Sequence, residues 1–412
     1  MLAAGRKPAV TGILVVNAGS SSLKLRVLGD SDEVAAELEM DAWDGSPDAG
    51  QLRQFLGRLS GIDAVGHRVV HGGTAFTRAT VIDEAVTAAI AGLADLAPLH
   101  QPRALAGIRA AGAALPGVPA VACFDTAFHA GLPAAAAAYA LPAAWTDRFG
   151  LRRYGFHGLS HGYAARRSAE LAGMDGKRAR VVTCHLGSGS SLAAVQGGRC
   201  VDTTMGFTPL EGLVMATRSG SVDPGLLIWL LRHGRLSVDE LSGGLEQAAG
   251  LAGLARLAGG SGDMREVRRA AAAGSAAARL AIDVHAHRLR REIAAMAAAM
   301  NGLDVLTFTG GIGEHQPEVR AEAAAGLGFL GVAIDPARNA GATSDADISA
   351  GPDGVRTVVV TAREDAEIAG QVRAVLGLPA VTGSHAAGQR GQPAAGPAGP
   401  ARENHSGKDS CP

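Results

Sequence analysis

Apolar and polar positions fall into two regimes along this chain. Short runs rich in β-branched residues occur at 13–16, 64–70, 120–124, 180–184, 305–309 and 357–360. Consecutive apolar positions over such short lengths predict buried strands. Between them lie alanine-rich segments at 84–96, 102–114, 162–172 and a long one over 270–300, with a last one at 365–376, all read as helices. Strands alternating with helices predict an α/β protein. Two halves open alike, with strand, glycine-serine turn and strand over 15–27 and again over 182–195, a faint internal duplication.

Three of the apolar runs end in glycine and small hydroxyl residues. The first leads into NAGSSSLK at 17–24, the second into His185-Leu186-Gly187-Ser188-Gly189-Ser190-Ser191, and the third into Gly310-Gly311-Ile312-Gly313-Glu314. Each predicts a strand entering a tight turn. Glycine lets backbone approach a ligand closely, and serial N–H groups form an anion nest. One such loop says little, whereas three in one chain point to a nucleotide held from several sides. The first loop carries Lys24, but not the Gly-Lys-Ser/Thr that opens a helix in a P-loop, so that fold is not expected.

Composition narrows the class. The 412 residues suffice for two domains and a large core, and 47% hydrophobic against 19% charged residues fits a globular interior. A formal net charge of −1 with no lysine-arginine run argues against nucleic-acid binding. No stretch is apolar and charge-free over the roughly 20 residues a membrane span needs. Residues 1–11 read as a loose leader without a signal-peptide pattern. Cys123, Cys184, Cys200 and Cys411 show no metal-ligand spacing, and Cys123 and Cys184 sit in apolar runs, so reduced thiols and a cytoplasmic location are expected. Residues 381–412 shift to Gly, Ala, Pro, Ser and Gln and predict a disordered tail.

Five motifs carry a resemblance. NAGSSSLK (17–24), GHRVVHGG (66–73), FDTAFH (124–129), YGFHGLSH (154–161) and MGFTPLEG (205–212) resemble those of the acetate kinase family, in the family's order. The resemblance spans residues 13–377. It implies two ribonuclease-H-like domains of the acetate and sugar kinase/Hsp70/actin superfamily with nucleotide in the cleft between them. The domains would be 12–128 plus 365–380, and 129–364. It further implies ATP and ADP as co-substrates, Mg2+ (with Mn2+ as an alternative), acetate and acetyl phosphate as partners, and a homodimer.

Phosphoryl transfer asks a protein for positioning, a metal ion and positive charge around the three equatorial oxygens. Arg68 and Arg218 are the cationic candidates; a guanidinium fork suits carboxylate and phosphoryl oxygens alike. The resemblance assigns Arg68 to the substrate carboxylate, and Arg218 with His157 to the transition-state charge. His100 matches a position near the substrate. The substrate is a carboxylate with a pKa of roughly 4–5, already ionised at neutral pH, so no general base is needed. Asp125, the match to the family's catalytic aspartate, is therefore read as orienting Arg68 or a metal-bound water; by itself it also reads as a turn residue. Asn17 and Glu364 are the metal candidates, with Asp365 next to Glu364 as a competing choice.

Ser20, Ser22 and Lys24 belong to the first phosphate loop, and His185, Leu186, Gly187, Ser188 and Gly189 to the second. Asp263, Met264 and Arg265 resemble the family's adenosine contact, and Gly311, Ile312, Gly313, Glu314 and His315 its last nucleotide loop. Val70, Leu99, Phe156 and Pro209 match the acetate-methyl pocket, although alone they read as core. Such a pocket separates acetate from propionate by only ~1–3 kcal/mol.

The chain departs from the family pattern at Ser188 and His315, where Asn is common, at Leu159 for Thr, at Ala216 for Gly, and over 254–262, which looks longer than usual. That last change leaves nucleotide choice open. Propionate or butyrate kinase and a pyrophosphate-dependent acetate kinase are the near alternatives; a non-catalytic actin/Hsp70-like switch is the distant one.

Overall fold

The computed structural model describes residues 12–19, 22–41, 43, 45–46, 50–98 and 100–381. The leader, the tail from residue 382, Ser20 and Leu99 lie outside these described residues. Within them twelve strands form: β1 (Gly12–Ala18), β2 (Ser22–Leu28), β3 (Val34–Asp41), β4 (Ile62–Val69), β5 (Thr80–Val81), β6 (Ala120–Phe124), β7 (Arg180–Leu186), β8 (Ser190–Gln196), β9 (Arg199–Thr203), β10 (Val305–Thr309), β11 (Ala346–Asp347) and β12 (Arg356–Val359).

They build two six-stranded sheets, ordered β3-β2-β1-β4-β6-β5 and β11-β12-β10-β7-β8-β9. Read from the long hairpin side, the two sheets are the same sheet. In each, strand one pairs antiparallel with two and two with three, strand one pairs parallel with the fourth, that one parallel with its neighbour, and a two-residue antiparallel strand closes the far edge. The duplication hinted at by two hairpins thus extends through every strand, and the fold is the expected α/β one with two ribonuclease-H-like sheets.

The helices cover these sheets in a crossed manner. The chain leaves the first sheet at β6, yet the following long helix, Gly158–Leu171, packs on β7, β8, β10 and β12 of the second. The helix after β12, Glu364–Leu376, returns to β1, β2, β4 and β6 of the first. These two helices also pack against each other. Leu159 sits in one core cluster with Ile13, Val15, Ala64, Ile368, Ala369 and Val372. On the outer faces, the Gln101–Ala114 helix covers β1 and β4, and the 24-residue helix Ala276–Ala299 covers β7 and β8.

Several sequence-based bounds change. The segment 84–96 is a helix only over Glu84–Ala91, followed by a 3-10 turn at Ala94–Leu96, because Gly92 and Leu93 break it. The long segment 270–300 is two helices, Met264–Ala272 and Ala276–Ala299; Gly274 at φ +95° turns the chain and the Ser275 hydroxyl caps the second. The 162–172 helix starts earlier, at Gly158, and the third glycine segment is a short helix, Gly310–His315. β3 escapes the apolar pattern because its residues are half-exposed and alternate apolar with charged side chains. Cys123, Cys184 and Cys200 are buried and free. Among the described residues no helix is long and apolar enough to cross a membrane.

Glycine at position 66 has a packing cause. A Cβ there would overlap Cγ2 of Ile368 and lie 2.8 Å from Cγ2 of Val372, both on the returning helix. β-branched side chains locked in a core cannot swing aside. Gly66→Ala is expected to destabilise the protein by about 1–3 kcal/mol, the usual cost of overpacking. Urea denaturation of both proteins checks this; an unchanged midpoint would mean that the helix docks loosely.

Candidate functional site

Arg68, near the end of β4, organises the cleft. Its Nε lies 3.2 and 3.1 Å from the two Asp125 carboxylate oxygens, and its Nη2 donates to Asp125 Oδ2 at 2.7 Å. Nη1 donates to Asn17 Oδ1 at 3.1 Å. The Asn17 amide in turn donates to Glu364 Oε2 at 3.0 Å. β1, β4 and the end of β6 are adjacent, which brings Asn17, Arg68 and Asp125 together; Glu364 arrives as the first residue of the returning helix.

Burial alone would lower the Arg68 guanidinium, but the charges of Asp125 and Glu364 outweigh it and hold the group raised and cationic. Burial pushes the Asp125 carboxyl upward against the pull of Arg68. For Glu364 the balance reverses: burial is overcome by Arg68, His185 and the Asn17 amide, and the carboxyl lies below its ordinary value. Of the five guanidinium N–H groups, three are taken by Asp125 and Asn17. One on each terminal nitrogen remains for a ligand.

A cleft of about 410 Å³ opens beside this network, lined by Asn17, Gly19, Ser22, Lys24, Arg26 and Arg68 from the first sheet, His185 and Ser188 from the second, and Glu364 and Asp365. The first two glycine loops therefore face one cavity. Lys24 is half-exposed and ion-paired to Glu39 at 2.6 Å. Arg26 is a site residue that the motifs do not mark, although it continues the Ser22, Lys24, Arg26 alternation on one face of β2. Its Nη1 reaches Asp365 at 3.3 Å. Asp365 is further held by Arg363, so it serves this ion pair while Glu364 faces Asn17.

His157 and Arg218 meet at Gly189. A Cβ built on Gly189 would stand 3.5 Å from Arg218 Nη1 and 3.6 Å from His157 Nε2. His157 caps its helix in the left-handed region at φ +56°, a conformation that costs a non-glycine residue about 1–2 kcal/mol. Gly158 follows because a Cβ there would overlap the Asp125 carbonyl oxygen. The His157 ring stacks on His185 at 4.3 Å. Burial, then His185, Arg68, His161 and Arg218, keep it well below an ordinary histidine and unprotonated at rest. The Arg218 side chain makes no hydrogen bond or ion pair among the described residues. Burial lowers it, Glu246 opposes that, and it stays a cation without a fixed partner.

Arg218 and His100 line a second, smaller cavity of about 180 Å³ with Pro98, Thr208, Pro209, Leu210, Asp95 and Glu246. Burial and the nearby arginines Arg68, Arg218 and Arg103 lower His100 to about 4. An apolar cluster of Val70, Ala97, Tyr154, Phe156, Met205 and Met215, with Phe207, adjoins it through Ala97. Three of the four acyl-pocket candidates, Val70, Phe156 and Pro209, are thus grouped in this region, and Leu99 lies outside the described residues. The 205–212 loop is braced by Glu211, which accepts from Tyr139 at 2.6 Å and from Arg153 at 2.7 Å.

The adenosine candidates line neither cavity. Asp263 caps the Met264–Ala272 helix and ion-pairs Arg265 at 2.6 Å; the Arg265 hydrogen bond, the largest cause, holds its carboxyl at about 2 against the effect of burial. Met264 and Leu186 are buried in the core, so what they offer a ligand is backbone. Gly310, at φ +78°, sits against the Leu186 backbone, which makes the second and third glycine segments neighbours. Glu314 Oε1 accepts from Gly310 N–H at 2.9 Å and from Ala362 N–H at 3.0 Å. Its carboxylate is a staple between the third segment and the approach to Glu364. The altered stretch 254–262 runs from the end of the Gly250–Ala255 helix through a 3-10 turn at Ala258–Gly260, with left-handed Arg256, Gly259 and Gly260, and Gly262 packs on the Ala216 carbonyl.

The model of the acetokinase family matches residues 49–370. The acetate kinase of Gloeobacter violaceus is 55% identical over 311 residues, 75% of this chain and 76% of that protein. The crystal structure of Porphyromonas gingivalis acetate kinase superposes with a TM-score of 0.81 at 35% identity, covering 89% of this chain and all of that one. A propionate kinase from Francisella tularensis subsp. tularensis does so with a TM-score of 0.81 at 34% identity, over 89% of this chain and all of its own. With a family model that covers most of its length and a relative sharing more than half its residues over the matched region, the chain belongs to the acetokinase family.

Proposed function

We propose that the protein is an ATP:acetate phosphotransferase that makes acetyl phosphate and ADP reversibly. The observation that carries this reading is the presence of two partly buried guanidinium groups with different freedoms. Arg68 is fixed by Asp125 and Asn17 with two N–H groups to spare, whereas Arg218 is unpaired and faces the second glycine loop beside His157. The fixed fork suits a substrate carboxylate; the free one suits charge that develops only during transfer. The domains are read as 12–128 plus 365–380 and 129–364.

In this reading the carboxylate, already ionised, attacks the γ-phosphorus in line. Arg68 holds it, Val70, Phe156 and Pro209 exclude water around its methyl end, and Arg218 with His157 neutralises the equatorial oxygens of a loose transition state. The backbone of Gly187 to Gly189, with Ser22, Lys24 and His185, holds the outgoing phosphates. Asn17 Oδ1 and the ionised Glu364 Oε2 form a hard-oxygen pair of the kind Mg2+ or Mn2+ takes with phosphate and water; when bound there, the ion would shield charge between the β- and γ-phosphoryl oxygens. Asp263, Arg265 and residues 311–315 are kept as the adenosine side. The location is read as cytoplasmic.

A homodimer is part of this reading. None of the ten residues of the Pro224–His233 helix is buried, and Leu226, Ile228 and Trp229 are each about half exposed, at 47%, 50% and 54%. An apolar helix without a covered face is suited to a second copy. Trp229→Glu should shift the mass measured by light scattering from dimer to monomer; a monomeric parent protein would sink the idea.

Acyl phosphate trapped as the hydroxamate from ATP, Mg2+ and acetate tests the activity itself, and its absence overturns the reading. Arg218→Ala is expected to lower kcat by ~10³–10⁵, as for loss of an arginine finger, with the KM for ATP little changed. Half-maximal turnover in that variant would remove Arg218 from the chemistry. Val70→Ala should widen the acyl pocket. Each methylene buried there is worth ~0.8 kcal/mol, so kcat/KM for propionate relative to acetate should rise severalfold, chiefly through KM. An unchanged ratio with a lowered Tm would make Val70 ordinary core.

A further inference from the structure

Behind His157 runs a chain of buried polar side chains that the proposed transfer does not use. His157 Nδ1 lies 2.9 Å from Ser191 Oγ. Ser191 Oγ lies 2.7 Å from His161 Nε2, and His161 Nδ1 lies 2.7 Å from Thr183 Oγ1. The Thr183 hydroxyl in turn reaches the Ala193 carbonyl at 3.4 Å. His161, Ser191 and Thr183 have no exposed surface. They come from three elements, the helix after His157, β8 and β7, whose mutual packing fixes the spacing.

Every hydroxyl in this chain carries one proton, as does each neutral imidazole, so all the links must point the same way. One member has no choice. A backbone carbonyl only accepts, and the chain ends on one. With Thr183 donating to Ala193 O, His161 Nδ1–H donates to Thr183, the Ser191 hydroxyl donates to His161 Nε2, and His157 Nδ1–H donates to Ser191. All four protons are then used. The other end agrees. His157 Nε2 and Arg218 Nη1 face the same point on Gly189, and a lone pair is better placed than an N–H beside a cation.

We propose that Thr183, His161 and Ser191 are positioning residues that lock His157 as its Nδ1–H tautomer, leaving Nε2 as the one nitrogen presented to the transferring phosphoryl group. This rests on the phosphotransferase reading. It deepens that reading by assigning the face and the atom. His157 at rest then accepts at Nε2; when phosphate displaces the influence of Arg218, Nε2 takes a proton from solvent and donates to a phosphoryl oxygen, and nothing behind the ring has to rearrange. The charged groups facing the ring are Arg68 and Arg218, and the titratable ones are the His185 and His161 imidazoles.

Two-bond proton–nitrogen correlation spectra of the full-length protein with labelled histidine report the tautomer at rest, with His157→Gln assigning the resonance. The expected result is an Nδ1–H imidazole at neutral pH. Ser191→Ala should release the ring to the Nε2–H form that free imidazole side chains prefer. It should also lower kcat about tenfold, the scale of one lost hydrogen bond, while the KM values for ATP and acetate stay within about twofold. Ser191→Thr, which keeps the hydroxyl, should restore both tautomer and rate. If Ser191→Ala does not fold, Thr183→Val breaks the chain from its far end, with the same outcomes expected. An Nε2–H tautomer in the parent protein overturns the proposal. So does a chain-breaking variant that keeps kcat, or one that loses rate and Tm with an unchanged tautomer. Absence of acyl phosphate from the parent protein would instead sink the phosphotransferase reading, and the resting tautomer would still be measurable.

Discussion

The guanidinium of Arg68 is the constraint on which the cleft depends. It brings a positive charge under the surface, where an unpaired ion would cost several kcal/mol. Asp125 supplies the opposing charge in a bidentate grip, and Glu364 adds a second one within 3.6 Å. Remove Arg68, and two neighbouring carboxylates, Asp125 among the buried residues, lose the one cation they share. The three strands that carry Asn17, Arg68 and Asp125 must therefore keep their order and register, and the last helix must begin at Glu364. The site and the topology specify each other.

Asymmetry between the two arginines follows from the same arrangement. A side chain already bound by neighbours loses little freedom when it meets a ligand, so Arg68 is preorganised. Arg218 stands in a loop whose backbone is tied to Ser188 and to the segment after Leu245, but its side chain is not tied. Glu246 offsets part of its burial, but no fixed partner holds its charge until anionic phosphate arrives. Rigid recognition of the small acid and a free cation for the transferring group are two solutions to one problem, namely binding ground state and transition state unequally.

Legibility in the sequence tracked local chemistry. The buried strands β1, β4, β6, β7, β10 and β12 announced themselves as β-branched runs, and the hairpins by their glycine-serine turns. Strands β3, β5, β9 and β11 lie at sheet edges or are two residues long, so they lack an apolar run. Helix ends at Gly92 and Gly274 depended on single residues inside alanine-rich stretches. At the site, Asn17, Arg68, Asp125, His157, Arg218 and Glu364 were legible only through the family resemblance, because their residue types alone do not show that they meet. Arg26 and Ser191 were not singled out, because a charge on an edge hairpin and a serine among serines carry no signal until register is known. His161 was closer to hand: it lies four residues after His157, one helical turn along the same face. Glu314 reads in sequence as a ligand contact, yet in space its carboxylate serves two backbone amides.

The exchange of covering helices between the two sheets sets an order of events during synthesis. The first sheet is complete once β6 has left the ribosome, but its inner face, with Ile13, Val15, Ala64 and Val121, is covered by residues of the returning helix. About 240 residues separate Phe124 from Glu364. At translation rates of ~5–20 residues per second, that face waits on the order of tens of seconds for its cover. The N-terminal sheet is thus not a module that closes its own core. Its closure is deferred to the end of the chain, and a premature stop shortly before the last helix leaves an apolar sheet open.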